Sequence, residues 1–317
     1  FNRTLSGEGD GPGEVRTPGD MLFLPDGTLG LVQVFPGKIT QIDLDNNPAG
    51  EIKIGGDPTQ GGFAILRDAQ CAGGNLVLCP TMVHPDPERP QQTRHDLLAS
   101  YNTDGTPSTT YLEREYTWDF TDFTLDENEL YFVYPRRFAV GGEGQVAAAP
   151  HRDTYAISVY DRDGTLNRVI EREYEPWPRD DEGRQIVEAI FSGVSRQFPF
   201  EIATHIADTE PVVMTMQYAE DGDLWVQTSR GAYGNDPGTL VTYDVFDPEG
   251  HFVKQVAFPV EGDARDDALI LNRAIDRAVL VKGFTDAMIT LQGGSRGEEA
   301  DAEEDAAGME VVCYAVR

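Results

Sequence analysis

A few basic side chains stand out on a strongly acidic chain. The 317 residues include 55 Asp and Glu against 25 Lys and Arg, which gives a formal net charge of −30. Guanidinium groups form paired hydrogen bonds with carboxylate and phosphate, on a ligand or on the protein's own acids. Four residues in long segments without a strand pattern are therefore candidates for binding an anionic ligand or partner: Arg136, Arg137 and His151 in 135–153, and Arg230 in 230–238.

Three further histidines fall in two other long segments: His84 and His95 in 79–96, and His205 in 173–211. Three imidazoles can bind Zn²⁺ and leave one coordination position open, so these residues are a candidate metal site. The sequence contains no HExxH or HxH spacing that would fix such a site. Clustered carboxylates, such as Asp43 and Asp45, could instead capture Ca²⁺, but the following Asn46, Asn47 and Pro48 favour an ordinary turn there.

The remaining chemical motifs favour no enzyme class. Glycines alternate from Gly7 to Gly13, but no Lys-Ser/Thr pair follows and no helix pattern begins there. We interpret the segment as a turn in which Glu14 accepts hydrogen bonds from nearby backbone amides. The one Gly-x-Ser-x-Gly match, GGSRG at 293–297, falls in the predicted acidic loop and not at a strand-to-helix elbow, and no triad is assembled, so no motif supports catalysis.

Composition excludes two classes of partner. A surface with this excess of carboxylates repels nucleic acid and anionic lipid, whose binding requires neutralisation by Lys and Arg. No apolar run approaches the roughly 18 residues needed to cross a bilayer, so we expect a protein that does not span a membrane. The expected partners are a protein or a small ligand.

The cysteines are predicted to be free thiols. A hairpin turning at 72–75 places Cys71 opposite Leu76 and Cys79 opposite Asp68. The two cysteines then lie about 10 Å apart, beyond the roughly 7 Å limit for a disulfide. Cys313 has no evident partner, and the three do not fix the redox compartment.

Paired hairpins that recur about every 45 residues predict the fold. Each joins alternating apolar and polar runs through Asp, Asn and Gly. We expect an all-β protein, a β-propeller of four-stranded antiparallel blades in one domain over 1–317. The expected parts are blades at 18–56, 62–113, 117–172, 212–259 and 267–317, an outer strand of a preceding or closing blade at 1–7, and a helical insertion at 173–211.

Within this scheme the long connections lie on one face. They are the segments 79–96, 135–153 and 230–238 and an acidic loop at 293–308. The repeat pattern predicts the inner hairpin of the third blade at 123–134. In the insertion, Asp180 and Asp181 are typical of a helix start, and Gly193 of a helix end.

The stretch GEGDGPGEVRTPGDMLFLPDGTLGLV (7–32) resembles NHL-like and related bacterial six-bladed β-propellers, in which a Gly-rich turn precedes a strand, an Asp-Gly turn and a second strand. The segments 159–173 and 243–256 resemble the outer hairpins of those proteins. The helix after the third blade and the ending VVCYAVR resemble an exported, largely uncharacterised subgroup. The resemblance implies a sixth blade before Phe1 and a periplasmic, extracellular or envelope location.

This resemblance specifies fold better than activity, because such propellers include ligand binders, scaffolds, lactonases and lyases. The leading hypothesis is a non-enzymatic exported propeller that binds a partner protein or small ligand through its long-loop face. The alternatives are a metal-dependent lactonase or lyase with a site at the central channel, and a structural subunit of an extracellular or envelope assembly.

Overall fold

The computed structural model describes residues 4, 6–16, 18–55, 61–272, 277–291 and 309–315. These ranges contain twenty-one β-strands and four helices. Five antiparallel sheets follow one another along the chain, and four of them have four strands in sequence order. The predicted fold class, an all-β propeller built from antiparallel blades, is confirmed.

The first blade has strands β1 (Pro18–Phe23), β2 (Leu29–Gln33), β3 (Lys38–Ile42) and β4 (Pro48–Lys53). An Asp-Gly turn joins β1 to β2, with Gly27 at a φ of 83° that favours glycine. The carboxylate of Asp26 accepts hydrogen bonds from the backbone and hydroxyl of Thr28. Just before this blade, the Glu14 carboxylate accepts a hydrogen bond of 2.9 Å from the amide of Gly11, which confirms the predicted turn.

The second blade has unusually long strands: β5 (Phe63–Ala72), β6 (Asn75–Pro85), β7 (Gln91–Tyr101) and β8 (Pro107–Asp119). The long loop predicted over 79–96 is therefore wrong, because most of it is strand. The predicted register is confirmed, with Cys71 opposite Leu76 and Cys79 opposite Asp68. All three cysteines are free: Cys79 is buried, Cys71 half-buried and Cys313 exposed.

The third blade has β10 (Phe138–Val140), β11 (Val146–Ala148), β12 (Ala156–Tyr160) and β13 (Leu166–Glu171). The hairpin predicted at 123–134 is wrong, because the inner hairpin lies at 138–148. Residues 123–134 instead contain β9 (Thr124–Asp126) and helix α1 (Glu127–Leu130). The Asp126 side chain caps α1 by accepting a hydrogen bond from the Asn128 amide, which favours the helix over a second strand.

The fourth blade has β15 (Val213–Tyr218), β16 (Leu224–Thr228), β17 (Val241–Phe246) and β18 (Phe252–Phe258), with helix α3 (Ser229–Tyr233) after β16. The fifth sheet has three strands among the described residues: β19 (Ala268–Asn272), β20 (Arg277–Lys282) and β21 (Glu310–Ala315). Helix α4 (Phe284–Leu291) follows β20. The predicted acidic loop at 293–308 and most of the predicted outer strand at 1–7 lie outside the described residues.

The predicted helix of the insertion is present as α2 (Asp181–Ser195). Its N-cap is Asp180, whose side chain accepts a hydrogen bond from the Gly183 amide. Gly193 does not end the helix, because it is a buried residue within the last turn. After the helix, β14 (Ala203–His205) pairs in parallel with β9. Among the described helices, none has the length and apolar character needed to cross a membrane.

The chain forms two compact units. The first contains Phe1–Asp122, Phe132–Pro150 and Ala156–Glu171, and the second contains Phe123–Tyr131, His151–Tyr155 and Arg172–Arg317. In the first unit, apolar side chains of the second and third blades form a buried core that includes Val77, Leu98 and Phe138. In the second unit, Trp225, Tyr243 and Phe258 pack with Leu280. Burial of such large side chains supplies most of the stabilising free energy of each unit.

Candidate anion-binding site

The structure does not bring the four predicted anion-binding residues into one unit. Arg136 and Arg137 lie in the first unit, immediately before β10, whereas His151 and Arg230 lie in the second. Arg136 has a positive φ of 53°, and its backbone amide donates a 2.6 Å hydrogen bond to the carboxylate of Asp68. The guanidinium of Arg137 donates to the carbonyl of Tyr134. The long loop predicted over 135–153 is wrong, because the segment contains β10 and β11, and both arginines precede that hairpin.

His151 and Arg230 are both exposed. The amide of Arg230 donates to the hydroxyl of Tyr174 over 2.8 Å, and its guanidinium lies 5.4 Å from the centre of that ring. These contacts position Arg230 at the start of helix α3. Binding by these residues stays a prediction.

The candidate zinc ligands also belong to two different units. His84 is on β6 and His95 on β7 of the first unit, and His205 is on β14 of the second. The ring of His95 lies 3.3 Å from a carboxylate oxygen of Glu113, and that of His205 lies 2.9 Å from one of Asp126. Across the described ranges, no group of three or more His, Cys, Asp or Glu side chains is arranged to hold a metal ion.

The carboxylate of Asp43, a candidate for Ca²⁺, is engaged in its own turn. It accepts hydrogen bonds from the amides of Asp45 and Asn47 and from the side chain of Asn47. The Asn47 hydrogen bonds lower the pKa of Asp43. These contacts favour an ordinary turn over a Ca²⁺ site at Asp43 and Asp45.

A buried arginine of the second blade has the chemistry of a binding residue. Arg94 lies on β7 between Val83 of β6 and Tyr116 of β8, and it is only 4% exposed. The central carbon of its guanidinium lies 3.7 Å from the centre of the Trp118 ring. Within the described residues, its buried Nε has no hydrogen-bond partner. A buried charge without an acceptor costs free energy, which a bound anion would relieve.

Two further arginines on the same blade surround Arg94. The Nε of Arg67 lies 3.5 Å from the hydroxyl of Thr81, which donates a 2.7 Å hydrogen bond to Asp96. The other oxygen of Asp96 accepts from Arg114. Strand alternation places Arg94, Asp96 and Arg114 on one face of the sheet. We call Arg67, Arg94, Arg114 and Asp96 the arginine cluster.

Aromatic side chains separate and support the three guanidinium groups. Arg67 lies 5.4 Å from the ring centre of Tyr134, and Arg114 lies 4.8 Å from that of Tyr116 and 5.3 Å from that of Phe132. Burial raises the pKa of Tyr116 to about 12 and also raises that of Tyr134. Both phenols therefore remain protonated at neutral pH and can donate hydrogen bonds to an anion.

The arginine cluster has an excess of positive charge. It contains three guanidinium groups and one carboxylate, that of Asp96, which is completely buried. Burial lowers the pKa of Arg94, and the charge of Arg67 acts in the same direction. Asp68 on β5 accepts hydrogen bonds from the amides of Ala69 and Arg136. Arg114 pairs with Asp96, whereas the two positive charges of Arg67 and Arg94 form no ion pair within the described part of the chain.

A second group of buried arginines, in the second unit, is paired with carboxylates. Arg179 pairs with Glu127 and Glu210, Arg152 pairs with Glu127, and Arg265 pairs with Glu210. Arg265 also pairs with Asp180, the N-cap of α2, at 2.8 Å. Arg152 also pairs with Asp153, so three arginines face four carboxylates, and this group holds the insertion in place. Arg152 and Arg179 also have a buried Nε without a partner among the described residues, but each of these arginines forms ion pairs, whereas Arg94 forms none there.

A polar cavity of about 290 Å³ also lies in the first unit, beside the turns of the second blade. Its buried polar side chains are satisfied by one another, since the Asn75 amide bonds Tyr111 and the Ser100 hydroxyl bonds Asn75. Arg162 at its edge donates to the carbonyls of Gly73 and Gly74. This cavity therefore presents fewer unsatisfied groups than the arginine cluster.

The sequence does not predict the arginine cluster directly, because its pattern over 79–96 indicates a loop. The signal was present in the alternation of β7 and β8. In QTRHDLL, Arg94, Asp96 and Leu98 recur at every second position, and in REYTW the same holds for Arg114, Tyr116 and Trp118. An arginine that alternates with a leucine on a strand is expected to share its buried face.

Comparisons with known proteins give a limited result. The chain matches no family profile and no curated protein. Among solved structures, it is similar to a calcium-binding protein, regucalcin, from Agrobacterium tumefaciens, at 8% identity and a TM-score of 0.31, covering 87% of this chain and 86% of that one. It is also similar to a streptogramin B lyase, at 12% identity and a TM-score of 0.33, covering 84% and 76%.

A third similar structure is a protein of unknown function from Bacteroides caccae, at 10% identity and a TM-score of 0.36, covering 82% of this chain and 68% of that one. Because these TM-scores are all below 0.5, no conclusion on function is drawn from them. The assignment to the β-propeller class rests on the blades of the chain itself.

Proposed function

We propose that this protein is a non-enzymatic β-propeller that binds a small anionic ligand at the arginine cluster. The observation that carries the proposal is the burial of the Arg94 guanidinium against Trp118 without an acceptor for its Nε among the described residues. A protein that needed Arg94 only for packing would gain stability from an apolar side chain of similar size. Retention of an unpaired charge on a chain of net charge −30 is the arrangement expected of an anion-binding site.

Access to such a ligand is provided by the outer members of the arginine cluster. The Arg114 side chain is 29% exposed, and Arg67 is half-buried. An anion could therefore pass these two groups and reach Arg94. There the anion would exchange its own water contacts for charge-assisted hydrogen bonds with the guanidinium.

The wider assignment is part of the same proposal. The Gly-rich turn and Asp-Gly hairpin of 7–32 support membership of the NHL-like, six-bladed and exported propellers, with a single domain over 1–317. A protein partner at the predicted long-loop residues Arg136, Arg137, His151 and Arg230 is kept as a separate prediction. The ligand proposal does not depend on it.

The test is isothermal titration of sodium sulfate into the protein at constant ionic strength maintained with chloride. We expect sulfate to bind, and Arg94→Gln to weaken binding at least about tenfold, since a charge-assisted pair contributes about 1.5–3 kcal/mol. Arg89→Gln is the matched control, because Arg89 is an exposed arginine of the same blade paired with Asp86. Its affinity for sulfate should equal that of the wild type. Equal loss in both variants, or wild-type affinity in Arg94→Gln, would refute the site.

A further inference from the structure

We infer that the ligand of the arginine cluster is a doubly charged oxyanion. This inference rests on the proposed function and adds the charge class of the ligand. It follows from the charge of the arginine cluster, in which Arg114 pairs with Asp96, whereas Arg67 and Arg94 form no ion pair with any residue that the structure describes. A monoanion leaves one positive charge uncompensated in a buried setting, whereas a dianion compensates both.

The charges act together because they are buried. The positive charge of Arg67 disfavours the charged form of Arg94, so the two guanidinium groups repel each other through the protein. Electrostatic interactions in such a setting are several-fold stronger than in water. A ligand that carries two negative charges is attracted by both groups at once, and its binding removes their repulsion.

The hydrogen-bond donors also fit an oxyanion. The Tyr134 ring lies beside Arg67, and the Tyr116 ring beside Arg114, and both phenols act on Arg94 electrostatically. Each retains its proton, because burial raises both pKa values. Guanidinium forks and neutral hydroxyl donors together match the several acceptor oxygens of sulfate, phosphate or a dicarboxylate.

The experiment compares pairs of anions that differ in charge but share their binding group. Sulfate is paired with methanesulfonate, and malonate with acetate, each titrated at constant ionic strength. In the wild type we expect each dianion to bind about tenfold or more tightly than its monoanion, because the second charge interacts with Arg67. Tighter binding of sulfate than malonate would indicate a phosphate-like ligand, and the reverse would indicate a dicarboxylate.

The variant Arg67→Gln removes one of the two uncompensated charges and leaves Arg94 in place. It should reduce the dianion preference to within about threefold, while monoanion affinity changes less. Arg67→Lys should restore the preference because it restores the charge, and circular dichroism checks that both variants fold. Equal affinities within each pair in the wild type, or an unchanged preference in Arg67→Gln, would overturn the inference. Absence of binding by all four anions would instead refute the proposed function.

Discussion

The guanidinium of Arg94 stacks on Trp118 at 3.7 Å, and that of Arg265 stacks on Tyr233 at 3.6 Å. The two contacts have nearly the same geometry in different electrostatic settings. Arg265 also pairs with Glu210 and Asp180, whereas Nε of Arg94 has no partner among the residues that the structure describes. Stacking on an aromatic ring contributes up to about 2 kcal/mol when desolvated, less than the penalty for a buried charge without an acceptor.

The first prediction is that Arg94→Met stabilises the protein in the absence of ligand. Methionine keeps the contact with Trp118 and removes the buried charge, so we expect the free energy of unfolding to rise by about 1 kcal/mol. Urea denaturation in a chloride buffer measures the change. Anion binding should be lost in the same variant, as expected when a binding site is maintained at the expense of stability.

Arg265→Met is the matched comparison and should change stability in the opposite direction. It leaves the carboxylates of Glu210 and Asp180 short of a partner, and we expect a loss of about 3 kcal/mol. If Arg94→Met destabilises the protein to the same extent, Arg94 is a packing residue and the binding proposal loses its basis.

The second prediction concerns the pH dependence that Asp68 imposes. Burial raises the pKa of Asp68 from 3.8 to about 6. Between these pH values the folded protein binds more protons than the unfolded chain, so this group reduces the free energy of unfolding as pH rises from about 4 to 6. The difference between the two pKa values corresponds to about 3 kcal/mol.

Asp68→Asn removes this titration. The unfolding free energy of the variant, relative to the wild type, should rise by about that amount between pH 4 and pH 7. Asp104→Asn provides a control of opposite sign, because hydrogen bonds from Thr106 lower the pKa of Asp104. Its stability relative to the wild type should fall with pH over the acidic range. A flat difference for Asp68→Asn would mean that Asp68 ionises normally.

The parts of the fold that the sequence predicted correctly are those whose turns are specified locally. The Asp-Gly turns at Gly27, Gly105, Gly164 and Gly222 all have positive φ values, and each joins neighbouring strands of a blade. The N-cap at Asp180 was predicted for the same reason, since a short-range hydrogen bond determines where α2 begins. Register followed from alternation, and the opposition of Cys71 and Leu76 confirmed it.

The errors have physical causes of two kinds. The inner hairpin of the third blade has strands of only three residues, which are too short to show an alternating pattern. The apolar residues Phe132 and Val133 resemble a strand in the sequence, but they pack into the core without joining a sheet. In the second blade, the prolines and charges of the turn at 86–90 and the charged residues of β7 resemble a loop in the sequence and conceal two long strands. The alternation of β7 places Arg94 on the buried face once the strand is recognised, but its stacking on Trp118 could not be predicted, because Trp118 lies on another strand.

The third prediction is that Glu127 anchors the insertion of the second unit. Its carboxylate pairs with Arg152 and Arg179 and accepts a 3.0 Å hydrogen bond from the amide of Ala207. Glu127→Gln removes a shared counter-ion from two buried guanidinium groups, of which Arg179 keeps Glu210 and Arg152 keeps Asp153, and we expect a loss of about 3 kcal/mol in the free energy of unfolding. Hydrogen exchange of 181–195 should accelerate, because those amides depend on the anchor.

Asp208→Asn is the control for this effect. Asp208 pairs with Arg184 in the same unit, but its side chain is 93% exposed. Removal of a surface pair should change stability by no more than about 0.5 kcal/mol and should leave the hydrogen exchange of α2 unchanged. Similar effects in both variants would argue against a specific anchoring role for Glu127.

The fourth prediction follows from the net charge of −30. Repulsion among surface carboxylates is greater in the compact folded state than in the expanded unfolded chain, and salt shortens the Debye length from about 30 Å at 0.01 M to about 3 Å at 1 M. We therefore expect Tm to rise as NaCl is increased over this range. The buried ion pairs of the second unit should oppose this trend only weakly, because salt screens buried pairs less than exposed charges.

Micromolar Ca²⁺ provides the discriminating comparison. General screening predicts no effect at that concentration, whereas a specific carboxylate site would raise Tm by binding the folded state alone. Sulfate should raise Tm more than chloride does at equal ionic strength in the wild type, and the difference should be smaller in Arg94→Gln, where only the general stabilising effect of sulfate remains. A Tm that does not respond to NaCl would show that carboxylate repulsion does not limit stability, and an equal response to sulfate and chloride would count against the arginine cluster as an oxyanion site.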